Sequence, residues 1–306
     1  MRILAAFLIF AGLLAGDPPR VELGRIRIPV WTNSAEPLTR EAIIAKANGQ
    51  PAEVLRVKGP GDDLLLLVVL DMVGGVNQIE LARAALSESI PALPPNVWAG
   101  VLRAQDGLRV LLDPTTDHDA VISTIASFPI TGTPGLLETI ETAAELGDHI
   151  LAKIPVRLAV LYITDSDIRR YREDFTNPVI NYSDDRDLSR RFPEGLVRER
   201  ITKLAAKLGA GLTPVFVVHL ERSPDQLNEA YQNGLTQLAA ATGGDAVICR
   251  SDGEIAPAIS DMLARISGHY GVDLQITQSS GESAEIALES PGAVLRYRSR
   301  VLLRRK

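Results

Sequence analysis

Asp62-Asp63-Leu64-Leu65-Leu66-Leu67-Val68-Val69-Leu70-Asp71-Met72-Val73-Gly74-Gly75 is the stretch around which the rest of the chain is organised. Its apolar run, Leu64 to Leu70, is too short to cross a membrane and lacks the polar alternation of a half-exposed strand. It therefore predicts a strand buried on both faces, of the kind found in parallel sheets covered by helices. The run ends on Asp71 and two glycines. Val76, Ile79, Ala82, Leu86 and Ile90 then recur at helical spacing. A carboxylate at the C-terminal end of a buried strand, followed by a Gly turn and a helix, marks the sheet edge where open α/β folds bind ligands.

Downstream, strand and helix patterns alternate. Residues 97–103 and 108–112 read as strands joined by the tight turn Gln105-Asp106-Gly107. Thr133-Pro134 predicts a helix start, with Thr133 as N-cap and Pro134 at the first helical position. Residues 155–163 form another apolar strand pattern, ending on Thr164-Asp165. Between Asp165 and Gly195 lies a polar stretch rich in Arg and Asp, including Arg169, Arg170, Asp184, Asp185 and Arg191. Connections of that length are uncommon and read here as a partner-binding or solvated loop. A helix over Val197, Ile201, Leu204 and Leu208 follows, then a strand over 215–220. Ser223-Pro224-Asp225-Gln226 and Ser251-Asp252-Gly253-Glu254 read as capping boxes for two further helices. The short strand over 246–249 lies between those helices. Together these patterns predict an α/β class: a doubly wound, mostly parallel, Rossmann-like sheet over 61–268.

Both ends differ from this middle. Arg25 to Val30 and Leu55 to Lys58 alternate charged and apolar residues, and Asn48-Gly49 is a turn signal. Val272, Leu274 and Ile276, then Leu295 and Tyr297, alternate in the same way near the C-terminus. Residues 20–60 and 269–306 are accordingly expected to pair into one small β-rich element. The alternating Arg296, Arg298 and Arg300 read as a solvated strand face.

With 306 residues and 46% hydrophobic content the chain can bury a full core, and its net charge of −6 shows no basic excess of the kind a nucleic-acid binder carries. No nucleic-acid partner is expected. Met1-Arg2, the apolar residues 3–14 and the small pair Ala15-Gly16 have the form of a signal peptide over 1–16. Cleavage would leave a mature N-terminus near Asp17. Leu13 and Leu14 are poor residues for a cleavage site, so membrane anchoring through residues 3–14 is the alternative. Either way the chain is expected to be exported, in the periplasm, the cell envelope or outside. Cys249 is the sole cysteine, so no internal disulfide supports the fold, and its apolar setting marks a small core residue.

Enzyme signatures are sparse. His118, His149, His219 and His269 are dispersed without zinc spacing, and Gly74-Gly75 lacks both the dinucleotide glycine pattern and a Gly-Lys-Ser/Thr. What the loops share is an order: Asp71 after one strand, Thr133-Pro134 before a helix, Thr164-Asp165 after the next strand. In this order they resemble the three metal-site loops of von Willebrand factor type A domains. Gln237 to Gly244, the later His269-Tyr270-Gly271 and the approach through Leu38-Thr39-Arg40-Glu41 are similar to the exported bacterial branch called VWFA-related.

That resemblance implies a metal-ion-dependent adhesion site holding a divalent cation through an Asp-x-Ser-x-Ser loop, a Thr and an Asp. Here Asp71, Thr133 and Asp165 match, but Val73 and Gly75 stand where the serines belong. Neither supplies a side-chain oxygen, and magnesium requires a near-complete oxygen shell. The expectation is therefore a degenerate site with at most weak magnesium binding and no cofactor, its two carboxylates accepting from loop amides instead. Function is expected to be non-enzymatic protein binding, adhesion-like or scaffolding, with an unknown protein partner. The alternative is a metal-assisted hydrolase using Asp71 and Asp165.

Overall fold

The computed structural model describes residues 23–171, 193–277 and 283–303. The expected leader over 1–16, and the polar stretch from residue 172 to 192, lie outside them. Three strands, β1 (Leu23–Thr32), β2 (Ile44–Ala47) and β3 (Gln50–Lys58), precede the apolar run, which forms β4 (Leu64–Asp71). Every residue of β4 is buried except half-buried Leu65. This follows from its position. β5 (Val97–Arg103) and β7 (Arg157–Thr164) flank it in parallel, and β8 (Val215–His219) and β9 (Ala246–Ile248) extend the sheet beyond β7, also in parallel. β6 (Arg109–Thr115) closes the opposite edge antiparallel to β5. The order β6-β5-β4-β7-β8-β9 runs outward from β4 in both directions, which makes the sheet doubly wound.

Helices cover both faces. Leu66, Val68 and Leu70 pack with apolar residues of α1 (Val76–Ser89), α2 (His118–Ser127) and α6 (Ile255–Ser267). Leu67 and Val69 face α3 (Leu136–Lys153), α4 (Pro193–Gly209) and α5 (Gln226–Thr242). Each fully buried Leu or Val contributes about 1.5–3 kcal/mol relative to exposure, so β4 supplies a large share of the core on both faces of the sheet.

The chain's two ends share a second sheet, ordered β12-β1-β10-β3-β2-β11-β13. Its later strands are β10 (Tyr270–Thr277), β11 (Ser283–Glu289), β12 (Leu295–Arg296) and β13 (Arg300–Leu302). All its pairings are antiparallel. Asn48 and Gly49, both at positive φ, turn β2 into β3. Buried Asp273 on β10 anchors the centre of this sheet, accepting from Arg27 and Arg25. The Arg27 and Arg25 charges and hydrogen bonds outweigh burial and hold the Asp273 carboxyl below its usual range.

Several local expectations need correction. Helix α3 begins at Leu136 with Gly135 as its N-cap, not at Thr133-Pro134, because a buried carboxylate, described below, fixes the amides of Gly135 and Leu136. Helix α5 is capped by Asp225, whose carboxylate accepts from Leu227 N and Asn228 N, so Ser223 is not the cap. At the second expected capping box Ser251 makes no side-chain cap bond, and Glu254 instead accepts from the Arg250 amide. Helix α2 carries no expectation from the sequence; Asp117 caps it by accepting from Ala120 N. Arg298 does not belong to a solvated face. Its guanidinium donates to the Gly209 and Ala241 carbonyls at the ends of α4 and α5, and Arg296 and Arg300 alone remain exposed.

Candidate functional site

β4 and β7 end side by side, with Asp71 opposite Thr164, so the two carboxylates of the sequence pattern meet at one edge of the sheet. Asp71 is fully buried. Its oxygens accept from Gly135 N at 2.9 Å, Leu136 N at 3.2 Å and the Thr164 hydroxyl at 3.1 Å. Burial pushes its carboxyl up to about 7, against the pull of the Gly135 and Leu136 amides and the Thr164 hydroxyl; the nearby Asp165 charge adds to the rise. Gly135 is required at this close approach, because a Cβ there would stand 2.0 Å from the Ala104 carbonyl oxygen.

Asp165 reaches the other way. It accepts from Val73 N at 2.8 Å, Gly74 N at 2.7 Å and Gly75 N at 3.1 Å, so one side chain satisfies three amides in front of α1. Thr133 is drawn elsewhere. Its hydroxyl donates to Asp106 Oδ1 at 2.9 Å, and Asp106 sits at positive φ in the turn between β5 and β6. Buried Gln105 supports the same region by donating to the Met72 carbonyl at 2.9 Å.

Behind Asp71 runs a chain of buried hydroxyls that the sequence did not disclose. Thr164 Oγ1 lies 2.7 Å from Ser166 Oγ, Ser166 Oγ lies 2.6 Å from the Tyr231 hydroxyl, and Tyr231 lies 2.7 Å from the Tyr171 hydroxyl. His219 Nε2 is 3.0 Å from the Ser166 carbonyl, and burial holds its imidazole below the usual range. Tyr231 lies on α5, and the packing of that helix beside the segment after β7 gives its hydroxyl the partners Ser166 and Tyr171.

The oxygen donors that a divalent ion would need at this edge are few and engaged. Asp71 and Asp165 use their oxygens on amides and a hydroxyl, Thr133 is tied to Asp106, and Val73 and Gly75 offer no oxygen. Among the described residues no three His, Cys, Asp or Glu side chains gather as ligands. What the edge does present is Val76, 65% exposed just after the Gly pair, and the exposed Arg170, whose Nη1 would stand 3.2 Å from a Cβ on Gly74. Arg169 is paired with Asp225 at 3.0 Å.

No family model matches the chain, and no curated protein matches it. Among solved structures it is similar to BatB, a conserved hypothetical protein from Bacteroides thetaiotaomicron. That likeness has 14% identity and a TM-score of 0.41, and covers 67% of this chain and 98% of the other. It is similar to the VWA domain of SpRpn10 at 13% identity and a TM-score of 0.40, covering 66% of this chain and 93% of that one. A von Willebrand factor type A protein from Catenulispora acidiphila aligns at 8% identity and a TM-score of 0.48, over 92% of this chain and 74% of that one.

Proposed function

We propose that the protein is an exported, non-enzymatic protein-binding module whose metal-ion-dependent site has degenerated and whose partner docks on the edge formed by the loops at Asp71, Thr133 and Asp165. Five loop amides converge on two carboxylates, and this grip is what supports the reading. It fixes the loops without an ion and leaves Val76 and Arg170 on display, an apolar contact beside a cation. Rigid loops on a sheet edge favour binding because little entropy is lost on docking. The hydrolase alternative has less support, since both carboxylates are committed to backbone amides instead of to a water or a metal. Export rests on the leader over 1–16; among the described residues no helix is long and apolar enough to cross a membrane.

The test is capture of the partner from the native envelope by the full chain, followed by affinity measurement with Val76→Asp and Arg170→Glu. Both side chains are exposed, so melting temperature should hold while affinity falls at least about tenfold. Unchanged affinity in both variants would move the partner surface elsewhere.

A further inference from the structure

Outside the loop edge, the C-terminal end of the sheet holds a second recess where β8 and β9 run out. Its volume is about 390 Å³, and it is lined by Arg222, Glu229, Gln232, Asn233, Ile248 and Arg250. Half-buried Ile248 lines it from the sheet, and α5 supplies Glu229, Gln232 and Asn233. Gln232 is only 4% exposed, and its Nε2 donates to the Glu221 carbonyl at 3.0 Å, which holds the carboxamide in place with a second N–H to spare. Arg222 makes only a loose, half-exposed pair with Glu229 at 3.6 Å. The Arg250 amide is fixed by Glu254 at 2.8 Å, while its guanidinium has no acidic partner among the described residues.

Two arginines and a single glutamate therefore line the recess, an excess of one positive charge among its lining residues in a chain whose net charge is −6. We propose that this recess is a binding site for a carboxylate group, gripped by Arg222 and Arg250 with the Gln232 and Asn233 amides as further donors. The guanidinium fork matches a planar carboxylate in two parallel hydrogen bonds. A single net positive charge suits a monoanion, whereas a phosphate dianion would meet Glu229 with charge left over. The recess lies at the carboxyl ends of β8 and β9, where doubly wound sheets accept ligands. The carboxylate comes from a small organic acid or from an Asp or Glu side chain of a protein. The recess shares no residue with the loop edge, so it stands or falls apart from the partner surface there.

Isothermal titration of the full chain at constant ionic strength separates the sources, using butyrate, acetyl-Gly-Glu-amide and sodium phosphate as probes. A carboxylate probe should bind, and Arg222→Ala and Arg250→Ala should each weaken it at least about tenfold, with Arg250→Lys intermediate. Arg109→Ala, on the opposite sheet edge, should leave binding unchanged. Tighter binding of the dipeptide assigns a protein source, and tighter binding of butyrate a small acid. Asn233→Asp, which adds a negative charge without removing an arginine, should abolish binding as well, and it replaces either Ala variant that melts early. Absence of saturable binding, affinity unchanged in the arginine variants, or phosphate binding more tightly than both carboxylates would overturn the proposal.

Discussion

The two ends of β7 solve one problem with opposite charges. At its start, Arg157 is 1% exposed and donates to the carbonyls of Pro60, Asp62, Ser267 and His269, at 2.7 to 3.3 Å. At its end, Asp165, with Asp71 beside it, accepts from five amides. Loops packed against the ends of a buried sheet carry backbone groups that water cannot reach, and one branched charge satisfies several at once. Each device costs desolvation, which is why burial lowers Arg157 to about 10 and raises Asp71 to about 7. The difference lies in what they tie. Arg157 joins the loop before β4 to the segment entering β10, and so the parallel sheet to the antiparallel one. The carboxylates tie only loops of the presenting edge.

The strongest way to break this comparison is at Arg157. Arg157→Ala orphans four carbonyls at the joint and should cost about 3–5 kcal/mol in denaturant unfolding. Arg157→Lys, which lacks the fork, should recover less than half of that. A loss below about 1 kcal/mol would mean that water fills the gap and that the joint does not depend on the cation.

pH separates the two ends by sign. His269, buried beside Arg157, is lowered to about 4, by burial first and then by the Arg157 and Arg27 charges. Its folded value lies below its unfolded one, so the stability it contributes is lost as pH falls from about 6.5 towards 4. Asp71 is raised instead, so its contribution is present at low pH and is lost as pH rises from about 4 to 7. Each effect is on the order of 3 kcal/mol, and in the wild type they oppose each other across this window. His269→Gln should therefore leave stability falling with rising pH, and Asp71→Asn should leave it rising. Denaturation midpoints at pH 4, 5, 6 and 7 decide; parallel profiles for both variants would refute the opposition.

At the presenting edge, Asp165→Ala frees three amides near solvent and should cost about 2–3 kcal/mol, less than the buried joint. The loss should appear as faster hydrogen exchange at residues 73–75, while the amides of β4 stay protected. Uniform exchange across both segments would show that the grip belongs to the core and not to the loops.

How far the sequence disclosed these features follows from the range of the interactions. The buried run from Leu64 to Leu70 announces its strand because its environment is written in its own composition, and Asp71 and Asp165 stand out because each closes such a run. Arg157 gave no sign. It is a lone Arg opening an apolar strand, and its partners are carbonyls as many as 112 residues away in the chain. Thr133 misled for the same reason: Thr-Pro has the local form of a helix start, yet Asp106 captures the hydroxyl and Asp71 resets the cap to Gly135. The hydroxyl chain from Thr164 to Tyr171 likewise exists only once α5 is packed beside the segment after β7. Local propensity is legible where the partner is the solvent or the core; it fails where the partner is a distant polar atom.

The smallest expected effect concerns Thr133 and the ion its loop would serve. Its hydroxyl meets Asp106 at an exposed turn, so Thr133→Ala should cost no more than about 0.5 kcal/mol. A metal ligand would behave differently, because an ion bound only by the folded state adds stability that grows with its concentration. The full chain, dialysed against chelator and then titrated with magnesium to 10 mM, or about 100 times a Kd of 0.1 mM, would gain about 2.7 kcal/mol if the loops formed such a site. The oxygens of Asp71 and Asp165 are already committed to amides, so the expected shift in melting temperature is below about 1 °C, in the wild type and in Thr133→Ala alike. A rise with magnesium that Thr133→Ala removes would show the carboxylates releasing their amides for an ion, and the presenting edge would then be held by metal rather than by its own backbone.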